Sequence, residues 1–347
     1  MLGGLRADIL GQLAIYRTAT RSLGNTLLVA SLPLDKIFVT GHRGMVGSAV
    51  CRLLADRHPH VEVITCDRNQ LDLRDESKVR SFFEASRPDA VLFAASRVGG
   101  ILANSTYPVE FLADNVRMAM ATIQSAYTTG VKRFLYLGST CIYPKFAPQP
   151  IREEALLTSP LETTNEAYAL AKIVGLKLCQ YYRQQHGVLY HSAMPTNLYG
   201  PGDNYHPDHS HVIPGLIRKF HDAKEADLPQ VAIWGTGTPR REFLYVDDLV
   251  HALIHLLAHP DPPDWVNVGY GSDISILELA HTIAGVVGYT GEITTDPSKP
   301  DGTPRKLTDS SLLRSTGWKP TVSFEEGLER AYNDFLHSRE TGNLRSQ

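Results

Sequence analysis

The chain of 347 residues is long enough to bury a large core, and two lobes are the ordinary outcome at this length. Hydrophobic residues make up 43% and charged residues 20%, a globular balance that argues against disorder. With 34 Lys and Arg against 37 Asp and Glu, the formal charge of −3 argues against nucleic acid or an anionic membrane as main partner, though not against a local basic pocket.

Residues 1–34 carry Arg6, Asp8, Arg17 and Arg21 among scattered apolar residues, without a signal-peptide core or a small-residue cleavage site. They read as an N-terminal extension with no catalytic role, an amphipathic appendage in preference to a weak targeting peptide or a misassigned start codon. From Asp35 onward, strand-like and helical patterns alternate. Lys36–Thr40 (KIFVT) is a short apolar strand, and Met45–Arg57 carries Val46, Val50, Leu53 and Leu54 on a helical stripe. Further strands are expected at Val61–Cys66, Ala90–Ala94, Arg133–Leu137 and Leu189–Met194. Helices are expected near Glu76–Ala85, Val109–Thr129 and Asn165–Gln185. Short buried strands separated by helices imply parallel, right-handed βαβ units, hence an α/β fold with a doubly wound parallel sheet. After Tyr199 the pattern breaks into Pro, His, Asp and Gly over 200–214, with later helices at Ile276–Val287 and Phe324–His337. Phe243–His259 is expected to return to the sheet. The division is therefore 35–199 plus about 241–262 for the sheet domain, and 200–240 with 263–338 for a smaller α/β substrate lobe. No apolar run reaches the roughly 18–20 residues that cross a bilayer. Cys51, Cys66, Cys141 and Cys179 form no CxxC pair, which suits a reducing cytoplasm.

Between the first strand and the first helix lies Gly41-His42-Arg43-Gly44-Met45-Val46-Gly47. Glycines there let the backbone turn tightly and meet a pyrophosphate at the positive end of the helix, the Rossmann arrangement. A tight βα turn with no ligand is the plain alternative, but the strand–turn–helix context favours a dinucleotide. Arg43 and Arg68 suit the 2′-phosphate of NADP, so NADP is expected over NAD. Asp67 pulls the other way, because an acid at that place often binds a free ribose 2′-hydroxyl. Tyr168-Ala-Leu-Ala-Lys172 puts a phenol and an ammonium on one helical face. Such a pair occurs by chance on many helix surfaces. With Ser139 at the end of the fourth strand, where ligands meet a doubly wound sheet, it becomes a Ser–Tyr–Lys set able to promote hydride transfer.

These residues resemble the extended short-chain dehydrogenase/reductase family. Within it, the likeness is to the enzymes that act on GDP-linked 4-keto-6-deoxy sugars. The blocks that carry it are GHRGMVGSAV (41–50), VGGILAN (98–104), LGSTCIYPK (137–145), TNEAYALAK (164–172), PTNLYGPGDN (195–204), HSHVIP (209–214), WGTGTPRREF (234–243) and SKPDGTPRK (298–306). The resemblance implies NADPH-dependent 3,5-epimerisation and 4-reduction of GDP-4-keto-6-deoxy-D-mannose. Gly41, His42, Arg43, Gly44, Met45, Val46, Gly47, Arg68 and Leu71 then fall on cofactor positions. So do Leu137, Gly138, Ser139, Thr140, Lys172, Pro195, Thr196, Asn197, Leu198 and His211. Tyr168 falls on the proton donor, Ser139 on its helper, and Cys141 with His211 on the pair that exchanges protons at C3 and C5. Lys219, Trp234, Arg241 and Asp301 fall on GDP-sugar contacts.

Plainer readings compete. Cys141, two residues past a strand end, is otherwise a small buried hydrophobe. His206, His209 and His211 (H-x-x-H-x-H) lack a carboxylate or cysteine at ligand spacing, so no metal is expected. Among rival functions are an NAD-dependent sugar 4-epimerase or 4,6-dehydratase, and a non-catalytic NADP-binding regulator. Ser-Thr-Cys at 139–141, where dehydratases of this family typically place acids, and the intact Tyr168 and Lys172 argue against the last two. The helices near Val109–Thr129 and Asn165–Gln185 are the homodimer face that the resemblance implies.

Overall fold

The structure, a computed structural model, describes residues 32–346 other than residues 208 and 300. The first half runs β1 (Lys36–Thr40), α1 (Met45–Arg57), β2 (Glu62–Ile64), α2 (Glu76–Ser86), β3 (Ala90–Phe93), α3 (Ile101–Thr106), α4 (Pro108–Thr128), β4 (Arg133–Leu137), α5 (Glu166–His186) and β5 (Leu189–Pro195). There follow β6 (Asn197–Tyr199), α6 (Val212–Glu225), β7 (Gln230–Trp234), β8 (Arg240–Tyr245), α7 (Val246–Ala258) and β9 (Trp265–Val268). The chain closes with β10 (Asp273–Ser275), α8 (Ile276–Val287), β11 (Glu292–Asp296), β12 (Arg305–Lys306), α9 (Ser311–Ser315) and α10 (Phe324–Glu340).

Six parallel strands form the central sheet in the order β2-β1-β3-β4-β5-β9. Its apolar runs are continuous because alternate side chains enter different cores. Ile37, Val39, Leu92 and Leu135 meet Val50 and Leu54 of α1 and Leu249 and Leu253 of α7. Phe38, Val91, Phe134 and Tyr136 meet Val79 and Phe83 of α2, Ala119 and Ile123 of α4 and Cys179 of α5. The chain leaves β1 for β2 on one side and returns to β3 on the other. The carboxyl ends of β1 and β3 therefore form the switch point where such sheets bind ligands. A separate core joins α6, α8, α10 and β7 through Ile217, Phe220, Ile283, Leu328, Phe335 and Ile233.

Two expectations need correction. The extension placed over 1–34 lies outside the described residues as far as Ser31, but Leu32 and Leu34 are 2% and 7% exposed and belong to the sheet core. The His60 ring bonds the Leu32 carbonyl at 3.3 Å. Leu-Pro-Leu is too short and proline-broken to read as an element, yet its alternate leucines both point inward. Likewise, Phe243–Tyr245 does not rejoin the central sheet. β8 pairs with β6, β10 and β12, α7 covers the sheet face, and the short run Trp265-Val-Asn-Val268 supplies the sixth strand beside β5. Four residues after a Pro- and Asp-rich loop give too little periodicity to announce a strand.

Candidate active site

The glycine turn sits on the switch point. Gly41 has φ +68°, and a Cβ there would lie 2.9 Å from the backbone of Ala94 and Ala95 beyond β3. A Cβ on Gly47 would come within 2.2 Å of the Gly41 carbonyl oxygen, so α1 packs onto its own entry turn only because both positions lack side chains. Gly44, the N-cap of α1, offers no side-chain cap, and the first turn holds no acid. The free N–H groups at that end fit a pyrophosphate. Met45 and Val46 pack partly into the sheet core. Burial lowers the His42 pKa, keeping the imidazole neutral near pH 7.

The two arginines are not free. Arg43 Nη2 lies 3.0 Å from Asp67 Oδ2, and Arg68 Nε lies 4.0 Å from Asp72 Oδ2. Leu71 does not face a ligand with its side chain: it is 6% exposed, packed in the core with Val79 and Phe83.

The β4 end gathers the chemical groups. Lys172 on α5 is 3% exposed and donates from Nζ to the Leu137 carbonyl at 2.8 Å, with the Tyr168 ring 5.5 Å away. Burial pulls its pKa down to about 8, against the opposing pull of Cys141. The half-buried Tyr168 phenol is pushed well above its usual value by burial and then by Cys141, while a hydrogen bond with Ser96 opposes both. Ser96 in turn donates to Asn115 Oδ1 at 2.9 Å, and Phe111 meets the Tyr168 ring edge-on at 6.3 Å. Ser139 accepts from the Cys141 amide at 3.3 Å, in the 3-10 turn Thr140–Ile142 that follows β4 past Gly138. Cys141 is 7% exposed; burial raises its thiol pKa, while Lys306, Ser139 and Lys172 pull it back.

Lys306 was not singled out by the sequence reading, although it ends the block 298–306. Its strand is two residues long, and only the register of β12 beside β8 brings it opposite Arg241 and into the pocket lined by Cys141, Lys145, Glu162 and Asn165. Ser96 and Asn115 were also missed, since single polar residues on a strand-end loop and a helix leave no spacing signal.

Beyond β5, Thr196 and Asn197 spend their side chains on the Glu242 carbonyl at 3.2 and 2.9 Å, Pro195 is buried, and Leu198 packs on the sheet core. His211 is exposed at the N-cap of α6, with surrounding protein lowering its pKa by desolvation. The preceding segment approaches Gly100, where an added Cβ would lie 3.9 Å from the His209 carbonyl. Lys219, Trp234, Arg241 and Asp301 share one edge. Lys219 donates to the Ala232 carbonyl, and Trp234, two residues on, is 62% exposed beneath Lys299. Asp301 accepts from the amide and hydroxyl of Thr236 at 3.0 and 2.7 Å; burial lowers the pKa of Arg241, and Asp301 partly offsets it.

A dinucleotide turn at the switch point, with serine, tyrosine and lysine converging on the β4 end, defines a nicotinamide-dependent enzyme of the short-chain type. Residues 37–269 match the model of the NAD dependent epimerase/dehydratase family. The chain is 54% identical over 301 residues to the GDP-L-fucose synthase of Sinorhizobium fredii, covering 87% of this chain and 95% of that one. It is 50% identical to the GDP-L-fucose synthase of Escherichia coli, covering 88% and 98%. Among solved structures, a GDP-L-fucose synthetase from Naegleria fowleri bound to NADP superposes with a TM-score of 0.80 at 30% identity, covering 89% and 96%. The chain belongs to the NAD dependent epimerase/dehydratase family, in its GDP-L-fucose synthase branch.

Proposed function

We propose that this chain converts GDP-4-keto-6-deoxy-D-mannose into GDP-L-fucose, by epimerisation at C3 and C5 and NADPH-dependent reduction at C4. The observation that carries the reading is the placement of the Cys141 thiol in one cluster with Tyr168, Lys172 and Lys306, which a simple reductase would not need. The C4 ketone acidifies the protons at C3 and C5. Cys141 and His211 divide the work of removing a proton from one face of each carbon and returning one to the other. Lys306 and Lys172 stabilise the thiolate whenever it forms. Ser139 polarises the ketone, and Tyr168 then gives its proton to O4. Lys172 holds the cofactor's ribose and offsets the phenolate charge. Bound NADPH supplies the hydride that reduces C4. Lys219, Trp234, Arg241 and Asp301 hold the GDP moiety.

No helix among the described residues is long and apolar enough to cross a membrane, and all four cysteines are free. Both features support work in the cytoplasm. Exposed Leu112, Met120, Leu170 and Tyr181 on α4 and α5 support a homodimer built on those helices. The deciding assay follows reduced-nicotinamide absorbance with GDP-4-keto-6-deoxy-D-mannose and identifies the product sugar by NMR. GDP-L-fucose supports the proposal; an unepimerised 6-deoxyhexose would reduce the enzyme to a 4-reductase.

A further inference from the structure

The adenosine end of the cofactor site combines three arginines with three carboxylates. Asp67 lies three residues past the end of β2, in the loop where a doubly wound sheet meets the ribose nearest the adenine. Its Oδ1 accepts from the amides of Asn69 and Gln70 at 2.9 and 3.0 Å, which fixes the carboxylate in place. Its Oδ2 holds Arg43 at 3.0 Å, and these bonds keep the acid below its usual pKa and ionised at neutral pH. Arg68 faces Asp72 at 4.0 Å, while Arg74 is spent on Asp72 at 2.7 Å and Asp114 at 3.0 Å. Cys66, the residue before Asp67, contributes no cation.

We propose that Asp67 makes this site accept NADH alongside NADPH, as the residue that sets cofactor tolerance. The inference rests on the nicotinamide-dependent reading above. A 2′-phosphate carrying nearly two negative charges must take Arg43 away from a fixed carboxylate and then lie beside it. A ribose diol meets the opposite situation: Asp67 can accept its hydroxyl proton, and Arg43 stays neutralised. Arg43 remains mostly solvent-exposed at 74%, so it can swing to a phosphate, and NADPH is retained as a substrate.

The test is kcat/KM for both reduced nucleotides with GDP-4-keto-6-deoxy-D-mannose, together with their dissociation constants by fluorescence titration, in the wild type and in Asp67→Asn. The amide keeps the oxygen that caps Asn69 and Gln70 but removes the charge. The wild type is expected to favour one nucleotide by no more than about tenfold. Asp67→Asn is expected to move the NADPH/NADH ratio about tenfold towards NADPH, the scale of a phosphate–carboxylate repulsion across a few ångströms of watery surroundings. A wild type that discriminates more than about a hundredfold against NADH, or a ratio unmoved by Asp67→Asn, overturns the proposal. The binding arm needs no turnover. A wrong sugar assignment would appear as absent product with both nucleotides, while the two affinities still decide the role of Asp67.

Discussion

Lys172 is a buried ammonium whose only protein hydrogen-bond acceptor among the described contacts is the Leu137 carbonyl. Its pKa falls from 10.5 in the free side chain to about 8 in the fold, and the main cause is desolvation. A depressed lysine destabilises the folded state wherever it must be charged there. Below pH 8 both states carry the proton and the whole penalty is present. Between pH 8 and 10.5 only the unfolded chain holds it, so stability rises with pH. A drop of this size corresponds to about 3 kcal/mol. Lys172→Met keeps the length of the side chain and removes the charge. Losing the bond to Leu137 costs about 1 kcal/mol, leaving a net gain of about 2 kcal/mol at pH 7. Reduction should meanwhile fall by about 10²–10⁴-fold, because Tyr168 loses the cation that stabilises its phenolate. Urea unfolding of both proteins at pH 7 and pH 10 isolates this group, since all other titrations are shared. The variant should be more stable at pH 7, with the gap closing by pH 10. A variant less stable at pH 7, or a gap independent of pH, would refute the reasoning.

The parts of the molecule that announce themselves in sequence are those where one element supplies the whole signal. The run Lys36–Thr40, the turn Gly41–Gly47 and the i, i+4 pair Tyr168/Lys172 are local patterns, and β1, α1 and α5 form where those patterns predict them. What stayed hidden depends on residues far apart in the chain. Lys306 reaches Cys141 only because β12 registers Arg305 and Lys306 against Arg240 and Arg241. Ser96 reaches Tyr168 only because Asn115, buried on α4, holds the loop after β3 by three hydrogen bonds to residues 96 and 97. Arg43 and Arg68 suggest a phosphate site in the sequence, but the carboxylates that engage them depend on side-chain geometry in the loop after β2. Local spacing thus recovers the helix that carries Tyr168 and Lys172 and the glycine turn after β1, while the electrostatics around them comes from tertiary register.

Replacing Tyr168 with Phe should stop NADPH oxidation while deuterium from heavy water still enters C3 and C5; joint loss of both would mean that the phenol also supports enolisation. Cys141→Ser and His211→Asn should each lower that exchange by about 10²–10⁴-fold and shift the product towards an unepimerised sugar seen by NMR. Wild-type exchange in both would make these residues structural. Gly47→Ala drives a Cβ to 2.2 Å from the Gly41 oxygen, so the turn must shift. A loss of about 1–3 kcal/mol in urea unfolding and weaker NADPH binding are expected. The last expectation concerns the start of the fold. A chain beginning at Leu32 should keep full activity and thermal stability, whereas one beginning at Asp35 loses two leucines from the sheet core. At about 1.5–3 kcal/mol for each buried leucine, the second chain should be less stable by roughly 3–6 kcal/mol. Equal stability of the two would mean that Leu32 and Leu34 only rest against the sheet, and that the first strand closes the core by itself.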